Sequence, residues 1–179
     1  FSPDGTAYRL EGPAHLPSVV LCHGVGLDLH MWEAQVNALW GRFQVLRYDM
    51  LGHGETPAQP GVTGIGAFSQ QLFNLLKHLE MGPVSLVGFS MGGVTGQHFA
   101  LQHPTLLRQL VLMSTVYRRT ADELAGVRAR LELTQKEGLT PIADAAVKRW
   151  FEPAFVEKNP QMIATIRQRL LSNDVAGYL

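Results

Sequence analysis

Gly88-Phe89-Ser90-Met91-Gly92 is the stretch with the most chemical promise. The residues before it, Pro83 to Gly88, read as a buried strand. Those after it, Gly92 to Gln102, read as a helix. A serine two residues from a glycine on either side, at a strand-to-helix junction, describes a sharp elbow that presents a nucleophile. The turn is so tight that only small residues fit beside the serine, which accounts for Gly88 and Gly92. Held there, the Ser90 hydroxyl projects away from the sheet, and the helix N-terminus behind it favours negative charge.

The elements that must position this serine follow from the apolar pattern. Ser18 to Cys22 is a continuous apolar, β-branched run, as in a strand buried on both faces. It ends in His23-Gly24-Val25-Gly26. Trp32, Val36, Leu39 and Trp40 have helical spacing, closed by Gly41. Phe43 to Tyr48 is the next strand, and Asp49 to Gly66 a loop rich in Gly and Pro. Phe68, Leu72, Leu75, Leu76 and Leu79 mark one face of an amphipathic helix. His103-Pro104 stops the helix after the elbow, and Leu110 to Met113 gives a further strand. Gly5 to Leu10 reads as a short strand at the start. Alternating buried strands and amphipathic helices predict an α/β fold: a mostly parallel sheet with helices on both faces. In such sheets ligands bind beyond the carboxyl ends of the strands, where His23-Gly24-Val25, Asp49 and Ser90 all lie.

From Thr120 the pattern is helical throughout. Thr120 and Glu123 form a capping box, Gly138 ends that helix, and Asp174 caps a last one. Thr140-Pro141 and Asn159-Pro160 each place a capping residue before a proline. The expected division is therefore a core over residues 1–119 and a helical segment over 120–179. That segment is either a lid over the strand edge or a helical subdomain with no role in access.

Composition narrows the function classes. The chain has 179 residues, 46% hydrophobic and 17% charged, which suits a soluble globular protein. Lys+Arg and Asp+Glu number 15 each, so net charge argues for neither nucleic acid nor a membrane surface. The lone Cys22 excludes an internal disulfide framework and fits a reducing, cytoplasmic compartment. No apolar run approaches the length of a membrane span. No metal or nucleotide motif is present, so no cofactor is expected.

Three motifs now stand in order: His23-Gly24-Val25-Gly26, Tyr48-Asp49-Met50-Leu51-Gly52-His53-Gly54, and the Ser90 elbow. Together the three resemble the α/β-hydrolase fold superfamily over nearly the whole chain. Within it, Gly24 to Trp32, Leu46 to Asp49, and Arg149-Trp150-Phe151-Glu152-Pro153-Ala154-Phe155 most resemble 3-oxoadipate enol-lactonases. Met50-Leu51 departs from the small or basic residues more usual there. Related esterases and carbon–carbon bond hydrolases share much of the first two stretches.

The resemblance implies that Ser90 attacks a small ester or lactone carbonyl while a histidine takes its proton and an acid orients that histidine. It also implies an oxyanion hole formed by the backbone N–H groups of Val25 and Met91. Trp150 lines the substrate pocket or packs within the helical segment. Cys22 is expected to be a small buried hydrophobe. His23 and His53 are expected to support loops, and Asp49 to bind backbone N–H groups in its turn. In this superfamily the acid and the histidine follow later strands, and none is visible after Met113. His98 and His103 lie along and at the far end of the elbow helix, and Asp122, Asp144 and Asp174 lie in the helical segment. The start at Phe1 rather than Met and this absence lead to the expectation of a fragment, or truncated gene product, with an open sheet edge and little activity alone. The rival class is a non-catalytic binding protein on the same fold. An epoxide hydrolase or haloalkane dehalogenase is disfavoured, since those relatives carry Asp where Ser90 stands.

Overall fold

The computed structural model describes residues 1–62 and 64–179. Strands β1 (Tyr8–Glu11), β2 (Ser18–Cys22), β3 (Gln44–Tyr48), β4 (Val84–Phe89) and β5 (Leu107–Met113) form one sheet in the order β1-β3-β2-β4-β5. The four strands expected to be parallel are parallel, and β1 joins antiparallel to β3. β1 lies later than the Gly5–Leu10 expectation. Ser2 to Thr6 instead close a turn, in which Thr6 N–H donates to the Ser2 hydroxyl at 3.1 Å.

Side chains on a strand alternate between faces, and β2 divides accordingly. Val19 and Leu21 meet Trp32, Val36 and Val45 on the face covered by α1 (Glu33–Leu39). Val20 and Cys22 face the other way. They pack with Leu46, Leu86, Leu72, Leu75 and Phe99 beneath α2 (Ile65–His78) and α3 (Met91–Gln102). Helices therefore cover both faces. The loop expected to start at Asp49 runs to Gly64, and Thr63 within it lies outside the described residues.

Arg47 is the charged exception within buried β3. Its Nε and one terminal nitrogen donate to the two Glu11 carboxylate oxygens at 3.0 and 3.1 Å, a bidentate pair that ties β1 to the sheet. β5 is the edge strand opposite β1, and its Val111, Leu112 and Met113 are exposed.

Residues after Thr120 form α4 (Ala121–Glu137), α5 (Thr140–Trp150), α6 (Pro153–Lys158), α7 (Pro160–Leu171) and α8 (Val175–Tyr178). The Thr120–Glu123 capping box forms, and Asp174 caps α8 by accepting from Ala176 N–H. Asn159 takes the expected N-cap position of α7 ahead of Pro160 but makes no side-chain capping bond, and Thr140 is not a cap. The cap position of α5 falls on Leu139, and Asn159 turns its amide back to donate to the Phe155 carbonyl. Leu139, Ile142, Ala143, Ala146, Leu170 and Tyr178 make a second apolar cluster, and Val25 of the sheet edge packs against it.

Register places the chemistry. Cys22 is level with Tyr48 on one side and Gly88 on the other, and Gly88 is level with Leu112. The strands end together, so the residues that follow them gather on one edge. Phe99, fully buried, seats α3 on the sheet. Phe99→Ala is expected to cost about 3–5 kcal/mol of stability. Urea denaturation checks this: the midpoint falls while the slope is unchanged.

Candidate active site

Ser90 stands between β4 and α3 with φ 52° and ψ −113°. This is sparsely populated backbone for a non-glycine residue. Packing holds it there. A Cβ on Gly88 would run into the Gly92 carbonyl, and one on Gly92 into the carbonyls of Cys22 and His23. The start of α3 thus rests directly on the end of β2. Ser90 N–H donates to the Met113 carbonyl at 2.9 Å, and Thr115 Oγ1 donates to the Ser90 carbonyl at 2.7 Å.

The loop after β2 runs against the nucleophile, with Gly24 so close that a Cβ there would lie 3.2 Å from Ser90 Cβ. Fully buried His23 braces it. Its Nδ1–H donates to the Gly24 carbonyl at 2.9 Å, and its Nε2 accepts from Met50 N–H at 2.9 Å. Both ring nitrogens are occupied, and burial together with nearby His53 pushes its pKa down to about 3. His23 is a neutral support, as expected, and no proton acceptor. The Gly24 carbonyl also accepts from Leu27 N–H at 3.2 Å. The C=O and N–H of a trans peptide point in opposite directions. Two bonds on the Gly24 carbonyl therefore fix the direction of the Val25 N–H.

Asp49 ties the next loop to the first. Its carboxylate accepts from Leu29 N–H at 2.7 Å and Glu55 N–H at 2.9 Å. Burial raises its pKa, against the pull of those two N–H groups. His53 donates from Nδ1 to the Leu51 carbonyl at 3.0 Å, and its buried Nε2 has no partner among the described residues. His103 stacks on Phe73 at the far end of α3, with ring centroids 4.3 Å apart. Asp144 is taken by Arg167 at 2.7 Å.

Ser90, Val25, Met91 and Trp150 line one cavity of about 550 Å³. Trp150 also packs against the second apolar cluster, so both positions left open for it are occupied at once. Sequence reasoning missed Arg119, Arg130 and Arg149, which stand in the same wall. They are scattered along the helical segment and its approach, and no local motif joins them. Buried Arg130 Nε has no partner among the described residues, and Arg149 lies over the Trp150 ring at 6.0 Å. Among the described residues, no histidine or carboxylate lines this cavity. A neighbouring cavity of about 640 Å³ shares Val25, Ile65 and Met91 with it.

Residues 17–152 match the sequence profile of the family described as alpha/beta hydrolase fold. The chain belongs to that family. It is 32% identical over 171 residues to 3-oxoadipate enol-lactonase 2 of Acinetobacter baylyi, covering 96% of this chain and 63% of that protein. The enol-lactonase structure from Burkholderia xenovorans superimposes with a TM-score of 0.89 at 34% identity, covering 97% of this chain and 66% of that one. A thermophilic esterase from Thermogutta terrifontis, solved with malate bound, gives 0.87 at 33% identity, covering 97% and 64%. The chain thus spans just under two thirds of the length of these relatives.

Buried, neutral histidines give a pH signature. The folded pKa of His23 lies below its unfolded value near 6.5, and that of His53 is lowered too. The unfolded chain therefore binds more protons in this window, and stability is lost as pH falls below about 6.5. The expected slope from His23 approaches about 1.4 kcal/mol per pH unit well below pH 6.5, and His53 adds to it in the same direction. Asp49, with a raised pKa, acts in the opposite sense at more acidic pH. Denaturation at pH 7, 6 and 5 measures the slope, and His23→Asn is expected to remove its share.

Proposed function

We propose that the protein is a serine hydrolase of a small anionic ester or lactone, with 3-oxoadipate enol-lactone as the favoured substrate. The observation that carries this reading is Ser90, strained at its elbow in a cavity shared with Val25, Met91 and three arginines. A binding module has no need of a strained serine. The arginines, unopposed by carboxylates among the described lining, suit a substrate carboxylate. The names of the A. baylyi and B. xenovorans relatives supply the enol-lactone, and malate in the T. terrifontis esterase fits the same anionic preference.

In this mechanism Ser90 Oγ forms a bond to the lactone carbonyl carbon and gives up its proton to a base. The oxyanion accepts from the N–H groups of Met91 and Val25. The ring C–O bond then breaks, the enol oxygen takes the proton, and water hydrolyses the acyl-enzyme to a dicarboxylic acid. The described walls offer Ser90 no base. We place the base and its acid in sequence outside these 179 residues, since the matched relatives are longer. Residues 120–179 act as a lid over the core of residues 1–119, contributing Trp150, Arg130 and Arg149 to the pocket, while Arg119 comes from the end of the core.

A general carboxylesterase is the second reading, favoured by the T. terrifontis likeness. Assays of the full-length protein on the enol-lactone and on a neutral aryl ester separate the two. Ser90→Ala is expected to lower kcat on both by about 10³-fold or more. Retained rate would refute the mechanism. Arg130→Gln is expected to raise KM about tenfold for the anionic lactone, in line with a charged hydrogen bond, and to leave the neutral ester unchanged. Equal effects on both would remove the anionic assignment.

A further inference from the structure

The turn between α7 and α8 reaches back to the loop that carries Val25. Asn173 lies in that turn after Ser172, 7% exposed, and its Nδ2 donates to the Gly26 carbonyl at 3.1 Å. The same amide nitrogen lies 3.0 Å from each of the Arg169 and Leu170 carbonyls. The last carbonyls of a helix have no partner within it and need outside donors. The end of α7 therefore orients the Asn173 amide, and the amide carries that order across to Gly26. Two further contacts follow the same path. A Cβ on Gly26 would lie 3.2 Å from Leu170 and 3.3 Å from Tyr178. Arg169 Nε stands 3.8 Å from Asp28, whose other oxygen accepts from His30 N–H at 2.8 Å. On its opposite side the loop is held by His23 and Leu27, both on the Gly24 carbonyl.

We infer that Asn173 is a positioning residue: it clamps the Gly24–Asp28 loop from the helical segment, so that the Val25 N–H keeps its aim at Ser90. The catalytic half of this inference rests on the proposed role of Val25 as an oxyanion donor. The clamp itself does not. Beyond covering the site, the helical segment fixes one of its parts.

The test uses the full-length protein with Asn173→Asp, which keeps the shape and removes the donor. Should that variant fail to fold, Asn173→Ser supplies a shorter donor and the same measurements. Amide hydrogen exchange reads the clamp. Exchange at Val25, Gly26 and Leu27 is expected to quicken about tenfold while Leu86 and Val87 in β4 are unchanged. Kinetics read its consequence. kcat is expected to fall about tenfold, less than the roughly 10²–10³ that follows removal of an oxyanion donor, with KM unchanged. Unaltered loop exchange in a folded variant overturns the clamp. Faster loop exchange with kcat unchanged overturns the positioning role and leaves Ser90 chemistry standing. If Ser90→Ala does not lower the wild-type rate, the proposed function fails, and the exchange data still decide the clamp.

Discussion

Ser90 occupies a backbone conformation that a serine does not choose. Strain of this kind costs about 1–3 kcal/mol and persists only where the surroundings over-determine it. Here the surroundings are backbone. Gly88, Gly92 and the carbonyls of Cys22 and His23 leave no space for a side chain, so β4 can turn into α3 at one place only. Everything else follows from keeping β2 and β4 level. The cores on both faces of the sheet set that register, and Phe99 holds α3 where its first turn meets the end of β2.

Around the elbow, buried polar groups do a second kind of work. Loops cannot bury unpaired N–H and C=O groups cheaply, so side chains meet them. His23, Asp49 and Gln71 between them bind the backbone of residues 24, 29, 49, 50, 51 and 55. Of these, His23 and Asp49 are the side chains that motif reading would tempt one to make catalytic. The hydrogen bonds already made by His23 and Asp49 leave them poorly suited to it. Their chemistry is spent on holding the loops that face Ser90. The pKa of His23, driven down by burial, fits a group kept neutral for that purpose.

Electrostatics at the site come from elsewhere in the chain. The protein has no net charge, with 15 basic and 15 acidic residues. Three arginines nonetheless meet in one cavity wall with no carboxylate among its described lining. Global charge says nothing of this, because the fold sorts charges by position. Asp144 is drawn off to Arg167, and Asp28 stands beside Arg169. Arg119, Arg130 and Arg149 line the cavity, and the same three line an adjoining hollow together with Glu123.

The sequence by itself determined the strands, the helices and the elbow. Apolar runs buried on two faces and apolar stripes at helical spacing are local, and a glycine pair around a serine is a steric requirement written in adjacent residues. It also foretold the supporting roles of His23 and Asp49, since their types suit the turns they sit in. It placed the start of α7 after Asn159, though not the direction of the Asn159 amide, and it put the cap of α5 one residue late, at Thr140 in place of Leu139. Only the tertiary structure decided what meets across long separations: Arg119, Arg130 and Arg149 with Ser90, Trp150 in both a cavity wall and a core, and Asn173 with Gly26. Those contacts depend on how the helices after Thr120 lie over the strand edge. Their packing spreads over many weak apolar contacts, and no single residue type or spacing encodes it.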